Sequence, residues 1–451
     1  MSQKARLTRG SIAGHLVSQT VPMIVGVTAI MSVGLVDAYF VGWLGATELA
    51  AMSFIFPITA ARGSIGVGVM AGTSSVVSRA IGAGQEERVR SCAALGILLG
   101  LSVGLAIAVL LALGQDRLFA LMGADGAMRA YIASYILPYA LGFPLLLTIS
   151  GLNGVLRAQG AAARSTLVSI SFALANLALT PIMIGGGFGI PGFGMAGAAY
   201  ATIAGWMVGA GVGFWMVHKG EVPFQPLLLA SADWGQSVRD VLRVALPAAF
   251  TSAINPVGLA VMTAFLADAG AAAVGGFGVG GRLQVLAVVP LLALSGSIGA
   301  IVGQNWGAGQ PDRARLAMVQ AGLFCLAYGL VAAVVIYWGR SWLASQFSDD
   351  AATIAAATRY LEIAVWGYAA YGLFIMGNGA FNALDHASTA LGLSLARVAL
   401  VMIPFALLLQ PNWGADAVYG AELLANLLGG AVSMALAWYL LSWKLKPRAA
   451  A

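Results

Sequence analysis

Apolar residues run along this chain in twelve long stretches, separated by short clusters of charge, glycine and proline. The stretches lie near 15–43, 50–80, 91–113, 129–156, 163–184 and 193–217, then near 237–267, 275–305, 314–338, 352–383, 387–410 and 416–443. Each reaches the roughly 20 residues that a helix needs to cross a hydrocarbon core. None alternates apolar and polar positions at strand length, so helices are predicted throughout. In lipid a helix also satisfies every backbone group within its own segment. The predicted fold class is an all-α integral membrane protein with twelve transmembrane helices.

Composition sharpens that picture. Of 451 residues, 60% are hydrophobic and 9% are charged, and the mean hydropathy is +0.89. A soluble globular chain carries roughly 25% charged residues. So few charges cannot cover a water-facing surface of this size, which excludes a soluble enzyme, a disordered protein and a nucleic-acid binder. A net charge of +6 does not restore nucleic-acid binding, because the basic residues are scattered in short clusters. Cys92 and Cys325 lie far apart in apolar stretches, outside any metal-ligand spacing, and read as packing residues. Lys4, Arg6 and Arg9 run into the first span without a small-residue cleavage site, so no cleaved signal is expected.

The basic residues orient the bundle. With both termini in the cytoplasm, that side holds 16 Lys and Arg residues, from Lys4, Arg6 and Arg9 to Lys444, Lys446 and Arg448. The outer side holds four: Arg117, Arg129, Arg340 and Arg359. This asymmetry fits the positive-inside rule. Arg62, Arg282 and Arg397 fall within spans and are read as pairing with carbonyls or acids between helices.

The two halves repeat at a constant spacing of 225 residues. The run from Gly82 to Arg90 (GAGQEERVR) corresponds to that from Gly307 to Arg315 (GAGQPDRAR). Pro22 corresponds to Pro247, Phe40 to Phe265, Gly45-Ala46 to Gly270-Ala271, and Asn153-Gly154 to Asn378-Gly379. Six spans per half make the repeat parallel, with a pseudo-two-fold axis along the membrane normal. That arrangement is associated with transporters that work by rocking two lobes. The predicted domains are an amino-terminal lobe, 1–217, a cytoplasmic linker, 218–236, and a carboxy-terminal lobe, 237–451.

Asp37 is the foremost candidate for chemistry. It lies in the outer part of the first span, six residues before Trp43. A carboxylate in mid-membrane costs about 2.5–3.5 kcal/mol on insertion scales, and low-dielectric surroundings favour the neutral form of a carboxyl group, which suits a residue that exchanges protons. Its repeat equivalent is Met262, so the architecture does not require the acid. Asn176 and Thr180 lie four residues apart on one helix face. They suit a hydrogen bond to a carboxyl or a cation, and equally helix–helix adhesion. Glu422, six residues into the last span, reads as shallow; Glu362 lies in a helix long enough to protrude; His15 reads as interfacial. Pro22, about four turns from Asp37 on the same span, is the proline expected to let that helix bend. No HExxH, GxSxG or phosphate-loop motif is present, which disfavours an enzyme or an ATP-driven pump and leaves an ion gradient as the energy source.

The string Val36-Asp37-Ala38-Tyr39-Phe40-Val41-Gly42-Trp43-Leu44-Gly45, the Gly-Ala-Gly-Gln loops after the second and eighth spans, and Asn153-Gly154-Val155-Leu156-Arg157-Ala158-Gln159-Gly160 resemble the multidrug and toxic compound extrusion (MATE) transporters, in particular their DinF-like branch. The resemblance implies two six-helix lobes that expel small organic, often cationic compounds in exchange for protons or sodium ions. It places Asp37 on the family's protonation site and Pro22 on the proline where the first helix bends. Asn153, Asn176 and Thr202 fall on polar positions of the amino-terminal cavity. Thr180 stands where DinF-like members carry an aspartate, and Asn255 lies near the seventh-helix glutamate of the NorM-like branch. A two-carboxylate sodium site is thereby incomplete, so protons are the expected coupling ion. The expectation is a monomer in a bacterial inner membrane, without cofactor, bound metal or nucleic acid. A lipid-linked oligosaccharide flippase of the same superfamily and a channel are the alternatives.

Overall fold

The structure, a computed structural model, describes residues 5–225 and 234–443. Part of the expected linker (226–233), and Lys4, Lys444, Lys446 and Arg448 of the charge count, lie outside the described residues. Helices dominate: α1 (Ile12–Gly42), α2 (Ala46–Gly82), α3 (Glu86–Leu121), α4 (Gly126–Leu141), α5 (Phe143–Ala158), α6 (Ala162–Gly185) and α7 (Met195–His218). The series continues with α8 (Trp234–Ala267), α9 (Ala271–Gly307), α10 (Pro311–Ser345), α11 (Ala351–Ala364), α12 (Tyr368–Ala383), α13 (Ala387–Ala396), α14 (Ile403–Trp413) and α15 (Ala415–Trp443). Among the described residues the only β pairing is one isolated bridge, Gly187 with Ile190.

Among the described residues, ten helices are long and apolar enough to cross a membrane, counting α13–α14 as one, and α4 with α5 forms an eleventh span bent by 45°. The repeat supplies the twelfth. Helices α11 and α12, joined by a 3-10 turn at Val365–Gly367, stand 225 residues after α4 and α5. The same spacing relates Ala46–Gly82 to Ala271–Gly307, and the ends of α1 and α8 at Gly42 and Ala267. Local chemistry repeats with it. The Asp125 carboxylate accepts from the Met128 N–H at 2.7 Å to cap α4, and Asp350 accepts from the Thr353 N–H at 2.8 Å to cap α11. The turns after α2 and α9 both need a left-handed residue, and each has glycine there, Gly84 and Gly309 at φ +69°.

Several helices outrun the apolar stretches that announce them. Helix α3 continues through Gln115, Asp116 and Arg117 to Leu121, and Arg129 on α4 pairs with Asp116 at 3.0 Å. A helix ends where its backbone loses partners, not where the hydrocarbon stops. The breaks inside the fourth and tenth spans are the other departure from twelve plain helices. At the first, Gly142 approaches Trp206 so closely that an added Cβ would lie 2.6 Å from the indole.

The chain gathers into two compact units. One joins the described residues before Leu7 to Val21–Ala249, and the other joins Leu7–Thr20 to the chain from Phe250 onward. Helix α1 therefore begins in the second unit and ends in the first, crossing just before Pro22. Helix α8 crosses in the reverse sense, just after Pro247. In the second unit the amino-terminal segment is held by polar contacts: Leu7 N–H donates to Gln304 Oε1 at 3.0 Å, and Asn305 Nδ2 donates to the Leu7 carbonyl at 3.1 Å.

Candidate functional site

In the first unit, Asp37 lies about one and a half turns before the end of α1 and is 6% exposed. Its carboxylate meets the side chains of α6 and α7. Asn176 Nδ2 donates to Oδ1 at 3.3 Å, and the Thr202 hydroxyl stands 3.3 Å from Oδ2. Asn176 also donates to Thr202 Oγ1 at 3.1 Å, and Thr180 faces the same carboxylate. Asn176 and Thr180 are fully buried. Helices α6 and α7 approach closely enough for this because small residues line their seam: a Cβ on Gly197 would overlap the Met183 carbonyl. Three polar residues, 139 to 165 positions from Asp37 in sequence, thus converge on one acid.

Hydrogens are scarce in this cluster. The Thr202 hydroxyl has one proton and two acceptors in reach, Asp37 Oδ2 and the Ala198 carbonyl at 3.0 Å. If Asp37 is ionised, Thr202 turns its proton to the carboxylate. If Asp37 is neutral, its own O–H serves Thr202 and the Thr202 proton returns to Ala198. The cluster accommodates both forms by rotating a single hydroxyl. Among the described residues no ion pair involves Asp37. Arg62 on α2 is within electrostatic reach, with its guanidinium over the rings of Tyr139 at 5.6 Å and Trp206 at 5.5 Å. Tyr135 and Tyr139 on α4 complete the surroundings.

The other residues singled out by sequence lie elsewhere. Asn153, at the opposite end of its unit's α5, accepts from Ser165 Oγ at 2.9 Å, and Arg157 Nε donates to the same Ser165 at 3.3 Å. Pro22 sits inside an uninterrupted α1, and its carbonyl accepts from the Thr166 hydroxyl at 2.8 Å. Glu362 is paired with Arg359, which also binds Asp416, among exposed side chains. Cys92 and Cys325 are free and buried, as packing residues should be.

Glu422 overturns its sequence reading. It is only 2% exposed, because α9 and α11 close over that turn of α15. Gln284 Nε2 donates to Oε1, and the Tyr360 hydroxyl donates to Oε2 at 2.9 Å. Arg397, at the head of a π-helical turn (Arg397–Met402), binds the side-chain carbonyl oxygens Asn255 Oδ1 on α8 at 3.2 Å and Asn426 Oδ1 on α15 at 2.7 Å, the carbonyl pairing between helices expected of it. Arg282 is exposed on α9.

Known proteins agree with this architecture. The family model described as MatE matches residues 22–182 and again 247–408, once for each half of the repeat. The chain belongs to the MatE family of membrane transporters. Among curated relatives of this MATE protein, the "FAD transporter" of Shewanella oneidensis is 31% identical over 95% of each chain. "Probable multidrug resistance protein YoeA" of Bacillus subtilis is 27% identical over 78% of this chain and 77% of its own. A solved mutant of the Vibrio cholerae MATE transporter VcmN superposes with a TM-score of 0.90 at 28% identity, covering 95% of this chain and 97% of that one. The multi-pass, two-lobed, twelve-helix architecture expected from the sequence is the architecture of the family.

Proposed function

We propose that this chain exports small organic compounds across a bacterial inner membrane by antiport with protons, with Asp37 as the coupling carboxyl. The observation that carries this reading is the Asp37 cluster, where a buried acid with no ion-pair partner among the described residues sits among neutral donors. Its hydrogen bonds close in both protonation states by rotation of Thr202. One turn from Asn176 the chain has Thr180, not a second acid. A site with one ionisable group suits a proton better than a sodium ion.

In the cycle we propose, Asp37 takes up a proton from outside and loses its attraction for a cationic cargo, which departs. Helix α1 bends near Pro22 and the lobes turn inward. Loss of the proton to the cytoplasm readies the site again. A carrier needs the two ligands to compete for one group, and a single carboxyl offers that competition.

A second reading concerns the cargo alone. One relative that spans nearly the whole chain is named an FAD transporter. Arg62, held over two aromatic rings, has the chemistry to meet the phosphate of such a planar anion. Inside-out vesicles supply the test, with ethidium and FAD as probes. Acidifying the lumen should drive uptake of one of them, and a sodium gradient should not. Asp37→Asn should abolish the uptake while the protein still inserts and purifies as a folded species. Undiminished uptake by that variant rejects Asp37 as the coupling group.

A further inference from the structure

We infer that Glu422 is a second proton-binding site, carried by the carboxy-terminal unit. The inference deepens the coupling reading above and rests on it only for the direction of proton flow.

The first observation is a count of hydrogens. Glu422, Gln284 and Tyr360 form a closed triangle of three contacts: Gln284 Nε2 to Glu422 Oε1, Tyr360 Oη to Glu422 Oε2 at 2.9 Å, and Tyr360 Oη to Gln284 Oε1 at 3.3 Å. With Glu422 ionised, two hydrogens are available for three contacts, since tyrosine has one O–H. The Gln284 oxygen or the carboxylate then goes unserved in a place closed to water, which is unfavourable. With Glu422 neutral, the ring closes. Its O–H donates to Tyr360, Tyr360 donates to Gln284, and Gln284 donates back. A third hydrogen completes what the side chains have already arranged.

The second observation is the repeat. Tyr360 stands 225 residues after Tyr135, a tyrosine within electrostatic reach of Asp37. Each unit therefore buries one carboxylate within electrostatic reach of the same tyrosine position, by a hydrogen bond in the second unit, although the acids come from different helices, α1 and α15. The equivalents of Asp37 and Glu422 in the opposite halves are Met262 and Gly197. Shared descent of an acid does not explain the match, whereas a shared need for one buried acid per unit does.

The surroundings of Glu422 are otherwise neutral or cationic. Helix α12 contributes Tyr368 and Tyr371, α15 itself contributes Tyr419, and the π turn contributes Arg397. Arg397 bonds to Asn426, one turn along α15 from Glu422, without bonding to the acid itself. A cationic neighbour held one turn away disfavours a metal ion beside the acid.

Infrared titration tests the site directly. In purified Asp37→Asn protein at about pH 6, above the ~4 at which exposed carboxyls titrate, a protonated-carboxyl C=O band should remain. It should vanish in the Asp37→Asn/Glu422→Gln double variant and shift in frequency in Asp37→Asn/Tyr360→Phe, where the ring has lost its hydroxyl. Absence of the band, or its survival in the double variant, overturns the inference, as does its loss on adding sodium chloride at constant pH. A flux measurement then separates site from mechanism. At zero membrane potential, two coupled protons sustain about a hundredfold cargo gradient per pH unit and one proton about tenfold. Glu422→Gln should reduce the first figure to the second. An unchanged gradient in Glu422→Gln overturns the coupling role, while no gradient in the wild type instead rejects the proton-antiport reading and leaves the infrared result standing.

Discussion

The Thr166 hydroxyl on α6 donates to the Pro22 carbonyl on α1 at 2.8 Å, at the turn after α1 passes from one compact unit into the other. Proline has no N–H, so the carbonyl one turn before it lacks a helical partner and the ladder is locally weak. Thr166 also lies against Gly26, where an added Cβ would sit 3.2 Å from its hydroxyl. The threonine thus braces the weak turn of α1 from the side. Thr166→Val should remove about 1 kcal/mol of that bracing. Amide exchange of the segment from Val25 to Thr28 should then accelerate about fivefold. Unchanged exchange would mean that α1 is held straight by packing alone.

Thr202 gives a prediction of a different kind, because its role is to rotate. Thr202→Val keeps the shape and removes the one hydroxyl that serves both protonation states of Asp37. Export should fall by at least about tenfold, the equivalent of one charged hydrogen bond. Stability should fall by about 1–3 kcal/mol, because the Asn176 amide loses its Thr202 acceptor, and Thr202→Ser should recover both stability and most of the rate. A valine variant that transports normally would show the hydroxyl to be a bystander.

The twelve spans were legible because hydropathy is a property of each segment by itself, and a helix in lipid needs no partner to satisfy its backbone. The repeat was legible for the same reason, since Gly82-Ala83-Gly84-Gln85 and its copy at Gly307 are local strings. Partnership was not legible. Asp37 stood out alone, but that Thr202 would meet it from 165 residues away follows only from the packing of α6 on α7. Glu422 read as shallow because depth along a helix says nothing of which face is covered, and its partners lie 138 and 62 positions away. One signal was available: the tyrosines at 135 and 360 obey the repeat spacing while the buried acids within their electrostatic reach do not. The π turn at Arg397 has a local cause in Pro404, which removes a backbone donor just beyond it, but helical prolines elsewhere in the chain leave no such turn.

Gly142 makes the bend between α4 and α5 a matter of volume. Its backbone is ordinary, at φ −82°, so the absent side chain and not the dihedral is what matters. The Trp206 indole occupies the place of a Cβ, and that same indole carries Arg62 on its face. Gly142→Ala should destabilise the unit by roughly 1–3 kcal/mol, read as a lower unfolding temperature in detergent. Adding Trp206→Leu should recover part of the loss in stability but not the transport rate, since Arg62 would then lose one of its two rings. A stable Gly142→Ala protein would show that the bend has slack.

Arg397 is buried, 5% exposed, and its charge is spread over two amide oxygens and the rings of Tyr371 and Phe374 at 5.1 and 5.3 Å. A guanidinium can reach Asn255 and Asn426 at once because its donors diverge in a plane, whereas an ammonium presents a point charge on a flexible stem. The π turn sets the angle, since the extra residue rotates the first position of the turn relative to a regular helix. Arg397→Lys should therefore lose one of the two amide bonds, lowering stability by about 1.5–3 kcal/mol, the range for hydrogen bonds to charged groups. Arg397→Met keeps the apolar stem against the two rings but leaves both amides without their donor. It should be the less stable of the two variants. If methionine proves as stable as arginine, the charge contributes nothing to the fold and its place beside α15 belongs to transport alone.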